Sequence, residues 1–161
     1  MKIRTGFGYD VHALATGRDL WLGGIKIQHP TGLQGHSDAD VLIHAICDAL
    51  LGAAGMRDIG YHFPDTAGEY KDIDSKELLR RTMALLRGAG YELGNVDATV
   101  AAEYPKLNPY IPAMRETLAG VMQVAVADIS IKATTTEKLG FTGRQEGIAA
   151  YASVLILSEN G

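Results

Sequence analysis

A single cysteine, Cys47, sits in an apolar stretch of the 161-residue chain. An internal disulfide framework is therefore excluded, a reducing compartment fits, and the thiol reads as core packing rather than as a nucleophile. Long apolar runs are also missing: none approaches the ~18 residues of a membrane span. The first residues, MKIRTGFGYD, enter strand pattern without an apolar signal core or an Arg/Ser-rich transit stretch, so a cytoplasmic protein with no membrane partner is expected. Positive charge is not in excess. A formal net charge of −4 gives no sequence-independent grip on nucleic acid, while leaving room for a local basic pocket that takes phosphates. Internal repeats, linkers and low-complexity segments are absent as well. With 47% hydrophobic and 21% charged residues, the chain reads as one globular domain over residues 1–161.

The order of patterns points to an α/β (α+β) fold. LWLGGIKI, residues 20–27, is two short apolar segments around Gly23-Gly24, the signal of a hairpin with a two-residue turn. A glycine-rich loop follows, then a helix expected from Asp38 to Ala54 with Ser37 and Asp38 at its first turn. Residues 58–72 carry Gly, Pro and charge without a period and read as a long loop of the kind that serves function. Leucines at 78, 79, 85 and 86 mark a second helix ended by Gly88 or Gly90, and a third falls within 108–122. Strands are expected at VDATVAAEY, ISIKATTT and IAAYASVLIL. The last is apolar on both faces except at Tyr151 and Ser153, which calls for cover on both sides. Helices supply one cover, and neighbouring copies in a closed homo-oligomer supply the other.

Chemistry concentrates in three stretches. In GYDVHAL, Asp10 and His12 share one strand face, and a carboxylate beside an imidazole suits zinc or a similar borderline metal. The third ligand expected is His44, on a helix face that also carries Asp40 and Asp48 at spacings of four, so that a carboxylate one turn away would orient its ring. Three protein ligands leave a fourth position open, as in catalytic rather than structural zinc sites. Gly35, His36 and Ser37 precede a helix N-terminus, where backbone N–H groups favour phosphate oxygens. KATTTEKLGFTGR offers a second phosphate-binding surface with Thr134, Thr135, Lys132, Lys138 and Arg144. Within it Glu137 fits two readings, a surface ion pair with Lys138 or a ligand for a hard cation. Phe141, between glycine and threonine, reads as a pocket wall, whereas His29, His62, Trp21 and the methionines read as loop or packing residues.

DVH at 10–12, GHSDADVLIHAICDALLGA at 35–53, DIGYHFPDT at 58–66 and KATTTEKLGFTGRQEGIA at 132–149 together resemble the 2-C-methyl-D-erythritol 2,4-cyclodiphosphate synthase family of the non-mevalonate isoprenoid pathway. The resemblance spans nearly the whole chain in matching order. It implies a small mixed β-sheet with helices on one face, assembled as a homotrimer with active sites between subunits. It further implies zinc on Asp10, His12 and His44, and magnesium or manganese on Glu137. By the same resemblance His36 and Ser37 contact phosphate, Asp58 and Gly60 the ribose, and Ala102, Pro105, Lys106 and Leu107 wall the cytidine pocket. Thr134 and Thr135 would touch the diphosphate from the adjacent subunit, and Arg144 would lie near the threefold axis. Three departures stand out: Ala67-Gly68 where Asp-Pro is frequent, Leu107-Asn108 for a Met-Leu-like pair, and Gln145 where glycine is common.

The implied reaction cyclises 4-diphosphocytidyl-2-C-methyl-D-erythritol 2-phosphate to the 2,4-cyclodiphosphate and releases CMP, making the protein a phosphorus–oxygen lyase. Two alternatives use the same features differently. A metal-dependent phosphohydrolase would deliver water and give a linear product, and a non-catalytic trimer would only bind isoprenoid diphosphates near Arg144.

Overall fold

Fifteen residues, Lys2–Thr16, form one strand, β1, in the computed structural model, which describes residues 1–66 and 68–158. Ala67 of the Ala67-Gly68 departure lies outside the described residues. β1 pairs antiparallel with β7 (Gly147–Ser158) from Lys2↔Ser158 to Ala13↔Gly147. β7 pairs antiparallel with β5 (Glu92–Ala101), and β5 runs parallel to β6 (Ile129–Thr134). A short strand, β4 (Thr31–Leu33), edges β1 at Leu14–Thr16 and completes the order β4-β1-β7-β5-β6. The sheet is therefore mixed, as expected. β2 (Leu20–Leu22) and β3 (Ile25–Ile27) form the anticipated separate hairpin. Its turn residues Gly23 and Gly24 both have positive φ, 63° and 79°, the requirement of a turn whose twist matches the strands.

Helices α1 (Val41–Ala54), α3 (Ser75–Gly88) and α4 (Ile111–Met122) cover one side. α1 lies against β1 and β7, α4 against β6, and α3 packs over both helices. Two one-turn helices, α2 (Ile59–His62) and α5 (Gly140–Gly143), break the loops around 58–72 and 137–147. A single turn carries no hydrophobic period, so neither shows in the sequence pattern. α1 is buried nearly all round, consistent with its continuous apolar sequence, and Cys47 is enclosed with it. Burial pushes the Cys47 thiol up to about 12, so no thiolate nucleophile forms there.

The contact between α1 and β1 is backbone on backbone. A Cβ at Gly8 would stand 1.9 Å from the Ala45 carbonyl oxygen, and one at Gly6 would stand 1.9 Å from that of Ala49. Glycine at these same-face positions lets the helix sit directly on the strand. Continuing along that face, Asp10 and His12 are the next residues, and they meet the first turns of α1 where His44 projects. The helix begins later than expected, at Val41 rather than Asp38. Asp40 is its cap, in extended conformation, with its carboxylate accepting the Ile43 N–H (3.1 Å).

Among the described residues no helix lies on the opposite sheet face. Ile3, Phe7, Tyr9, Val11 and Tyr151 are exposed there, with Tyr9 and Tyr151 ring centroids 5.1 Å apart. The two-sided apolarity of β7 is thus met by helices on one side only among the described residues.

Gly8→Ala is expected to destabilise the protein by about 3 kcal/mol, the upper part of the usual overpacking range, because the atom it meets belongs to a helix backbone. Gly52→Ala, within α1 but with nothing within 4 Å of the added methyl, should instead stabilise by about 0.5–1 kcal/mol. Urea denaturation midpoints of the two variants check both signs.

Candidate metal centre and substrate cleft

Asp10, His12 and His44 converge on one point. Asp10 Oδ2 is 3.0 Å from His12 Nε2 and 3.0 Å from His44 Nδ1, and the two ring nitrogens are 3.2 Å apart. These three donor atoms lie within 4.8 Å of one another and form a group able to hold a metal ion.

Hydrogen-bond accounting shows what the three atoms present to each other. His12 Nδ1 is 2.8 Å from the Gln34 carbonyl oxygen. A carbonyl only accepts, so Nδ1 carries the proton and Nε2 keeps its lone pair. On the other ring, His44 Nε2 is 3.0 Å from Ser75 Oγ, whose own hydroxyl donates to Asp38 Oδ1 in a short bond. The serine therefore accepts from His44 Nε2–H, with Ser37 Oγ 3.3 Å from the same nitrogen, and Nδ1 is left as a lone pair. Two imidazole lone pairs and a carboxylate oxygen facing inward make a donor set for a cation, and the N,N,O chemistry suits zinc or a similar borderline ion. In the absence of an ion, a proton answers the same demand. Burial opposes charge on both groups, but hydrogen bonding to His12 and His44, with their charge, holds the Asp10 carboxyl well below the usual carboxylate range. Burial likewise disfavours the His12 imidazolium, yet its hydrogen bond and charge interaction with Asp10 raise its pKa above the ordinary value.

The residues that orient the rings were not those anticipated. Asp40 faces away, its two oxygens accepting the N–H groups of Gly23 (2.9 Å) and Gly24 (2.7 Å) in the hairpin turn as well as that of Ile43. Asp48 accepts the Ile59 N–H (2.8 Å) and so seats α2. Ser75 and Asp38 take the orienting role instead, far apart in sequence but joined also by the Ser75 N–H to Asp38 Oδ2 bond (3.0 Å). A carboxylate behind a serine has no spacing signature: Asp74 caps α3 itself, and Asp38 reaches Ser75 from a loop 37 residues away. The expectation that phosphate would sit on the free N-terminus of α1 also changes: Asp40 occupies that terminus with its own carboxylate.

A cavity of about 230 Å³ opens from the three ligands and is lined by His36, Ser37, Ile59, Gly60, Phe63 and Tyr70 among others. Thus His36, Ser37 and Gly60 do gather at the ligand cluster. Asp58 stands just outside it, capping α2 through the Tyr61 N–H (2.9 Å). Ala102, Pro105, Lys106, Leu107, Thr134 and Thr135 gather around a second cavity of about 270 Å³ at the ends of β5 and β6. The two cavities share no lining residue. Glu137 is exposed and outside the ligand cluster, and its carboxylate accepts from Thr135 Oγ1 (3.3 Å) rather than pairing with Lys138. Arg144 binds Glu146 through two bonds, of 2.7 and 3.2 Å, which raise the arginine pKa and lower that of the glutamate. Phe141 is exposed and lines neither cavity.

A helix-backed mixed sheet with two histidines and a carboxylate able to hold a metal ion at the head of a cleft defines the class as an α/β protein with a candidate metal site. Residues 3–157 match the YgbB family, and the chain belongs to that family. A 2-C-methyl-D-erythritol 2,4-cyclodiphosphate synthase from Parabacteroides distasonis is 82% identical over 156 residues, covering 97% of each chain. The bifunctional IspDF of Campylobacter jejuni superimposes with a TM-score of 0.94 at 45% identity; the match covers 98% of this chain and 42% of that longer one. A CDP complex of IspF from Plasmodium falciparum superimposes with a TM-score of 0.86 at 35% identity, covering 98% and 97% of the two chains.

Because the metal must displace the proton that Asp10 helps His12 retain, metal affinity should fall about tenfold per pH unit once pH drops below the raised His12 pKa. Ser75→Ala, which removes the acceptor for His44 Nε2–H, should weaken metal binding roughly 10–100-fold at neutral pH. Competition with a chromophoric chelator across a pH series measures both effects.

Proposed function

We propose that this chain, acting as one domain over residues 1–161, cyclises 4-diphosphocytidyl-2-C-methyl-D-erythritol 2-phosphate to 2-C-methyl-D-erythritol 2,4-cyclodiphosphate and releases CMP. The observation that carries this reading is the inward-facing lone-pair set of Asp10, His12 and His44 at the head of the cleft. It is supported by the 82% identity to a named synthase and by a solved relative in complex with CDP.

In this reaction the substrate supplies its own nucleophile. An oxygen of the 2-phosphate forms a bond to the β-phosphorus, the bond from that phosphorus to the bridging oxygen breaks, and CMP leaves with the electron pair. An anionic phosphate needs no strong general base, but two anions must meet. Unit charges ~4 Å apart repel by about 4 kcal/mol at an effective dielectric near 20, so the protein's main task is to place positive charge. Asp10, His12 and His44 would hold zinc or a similar divalent ion, and Glu137 would hold magnesium or manganese. When bound, such ions polarise phosphate oxygens as Lewis acids and offset the negative charge. Ser37 and His36 border the ligand cluster and would receive a phosphate, Asp58 and Gly60 the ribose, and Thr134 and Thr135 the diphosphate. Ala102, Pro105, Lys106 and Leu107 would hold the cytosine. Anchoring both ends of a flexible substrate turns ring closure into a positional problem that the two cavities solve together.

Because those cavities share no residue, a substrate that uses both fits best across a subunit boundary. The exposed Phe7–Tyr9–Tyr151 face supports such an assembly, since a contiguous apolar patch of this kind is usually an interface. A homotrimer with sites between subunits is the proposed form. Among the described residues no helix is long and apolar enough to cross a membrane, and the cytoplasm is the proposed setting.

Incubating the protein with the cytidine diphosphate substrate and magnesium, followed by phosphorus NMR, tests the reaction. Cyclic diphosphate and CMP should appear, vanish on chelation and return with added metal. A linear phosphate product would overturn the reading in favour of hydrolysis, and nucleotide binding without turnover would overturn it in favour of a binding protein.

A further inference from the structure

Five successive carbonyls behind the metal centre, Leu33 to Ser37, all have donors, and three of them share one side chain. Arg18 Nε donates to Leu33 O (3.2 Å), and its Nη2 donates to Gly35 O (3.4 Å) and Ser37 O (3.0 Å). The intervening carbonyls point elsewhere. Gln34 O accepts from the metal ligand His12 through Nδ1 (2.8 Å), and His36 O accepts the Asp72 N–H (2.8 Å) at the end of the 58–72 segment. Carbonyls 33, 35 and 37 thus face the arginine, while 34 and 36 face His12 and the 58–72 segment.

The approach that makes this possible is built into the backbone. A Cβ on Gly32 would lie 2.2 Å from the Asp19 carbonyl oxygen and 2.5 Å from that of Arg18, so only glycine lets the turn after β1 lie against the 32–37 segment. Asp19 pairs with Lys26 (2.9 Å), and the Arg18 guanidinium is turned to the carbonyls. A large open depression of about 590 Å³, lined by Arg18, Trp21, His29 and Asp38, lies on this side and shares Ser37 with the metal cleft.

We propose that Arg18 is a positioning residue for the metal centre. Its rigid fork fixes the peptide planes of residues 33–37, so that the Gln34 carbonyl holds the His12 tautomer and the Ser37 hydroxyl stays on His44. A guanidinium donates from separate nitrogens along set directions in one plane, here Nε to Leu33 O and Nη2 to Gly35 O and Ser37 O, whereas a lysine ammonium carries its three donors on a single nitrogen at the end of a flexible stem and does not reproduce that fixed span. Charge alone is therefore insufficient at this position. Arg18 touches neither of the two cavities proposed for substrate, so its loss acts through His12 and Ser37 rather than through nucleotide contacts. The catalytic part of this inference rests on the proposed cyclisation; the metal-binding part does not.

The test compares wild type, Arg18→Lys and Arg18→Ala in cobalt(II) affinity, read from the visible absorption of the bound ion, and in KM and kcat for cyclisation. Both variants should bind cobalt roughly 10–100-fold more weakly, as expected on loss of a group supporting a metal ligand. They should also lose kcat, with KM changing much less. Millimolar guanidinium should restore cobalt affinity and kcat to Arg18→Ala without improving wild type. Wild-type cobalt affinity in Arg18→Lys, or no rescue of a folded Arg18→Ala, would overturn the proposal. If wild type itself fails to cyclise the substrate, the proposed reaction falls, while the cobalt comparison still decides the role of Arg18.

Discussion

Two hydrogen bonds govern the chemistry of this molecule: His12 Nδ1–H to the Gln34 carbonyl, and His44 Nε2–H to Ser75 Oγ. Each commits one ring nitrogen to a proton and so commits the other to a lone pair. Without them Asp10, His12 and His44 would be an ordinary ion-paired cluster, free to exchange protons among its members. With them the cluster keeps a standing deficit of positive charge at its centre, filled by a proton or by a divalent ion. The Asp38 carboxylate reinforces the arrangement by accepting the hydrogen bond that the Ser75 hydroxyl donates, which leaves the serine only its acceptor role toward His44.

The fold brings these bonds together from four separate segments. Gly6 and Gly8 let α1 rest on β1 and bring His44 over the face that carries Asp10 and His12. The segment after β4 supplies the Gln34 carbonyl and Ser37, and the start of α3 supplies Ser75. Asp40 ties one of these segments, α1, to the β2–β3 hairpin, since the carboxylate that caps α1 also closes the Gly23–Gly24 turn. Burial raises its pKa, with the charge of nearby Asp38 adding to the effect, while the three N–H groups it accepts favour the ionised form. It is a structural junction, in contrast to Asp10 on the facing strand.

Much of this was legible from the chain alone, for identifiable reasons. Asp10 and His12 declared themselves because strand alternation puts every second side chain on one face, and His44 followed as the histidine of an otherwise apolar helix. The hairpin was readable because Gly23-Gly24 permits only a few turns. What escaped was non-local. Asp40 and Asp48 have the spacing expected of orienting carboxylates, yet each is drawn off to a backbone N–H of another segment, and the orienting group is instead a serine 31 residues from His44. The start of α1 moved because a buried carboxylate capped it three residues late. Among the described residues the Glu137 and Arg144 side chains bond only locally, to Thr135 and Glu146. Their proposed roles depend on surfaces that one chain does not bring together.

Long-range nitrogen-15 NMR of the zinc-loaded protein reads the tautomers of His12 and His44 directly. The expected result is a protonated Nδ1 and metal-shifted Nε2 on His12, and a protonated Nε2 and metal-shifted Nδ1 on His44. The reverse assignment on either ring would mean that the Gln34 carbonyl and the Ser75 hydroxyl are not the groups that define the cation site.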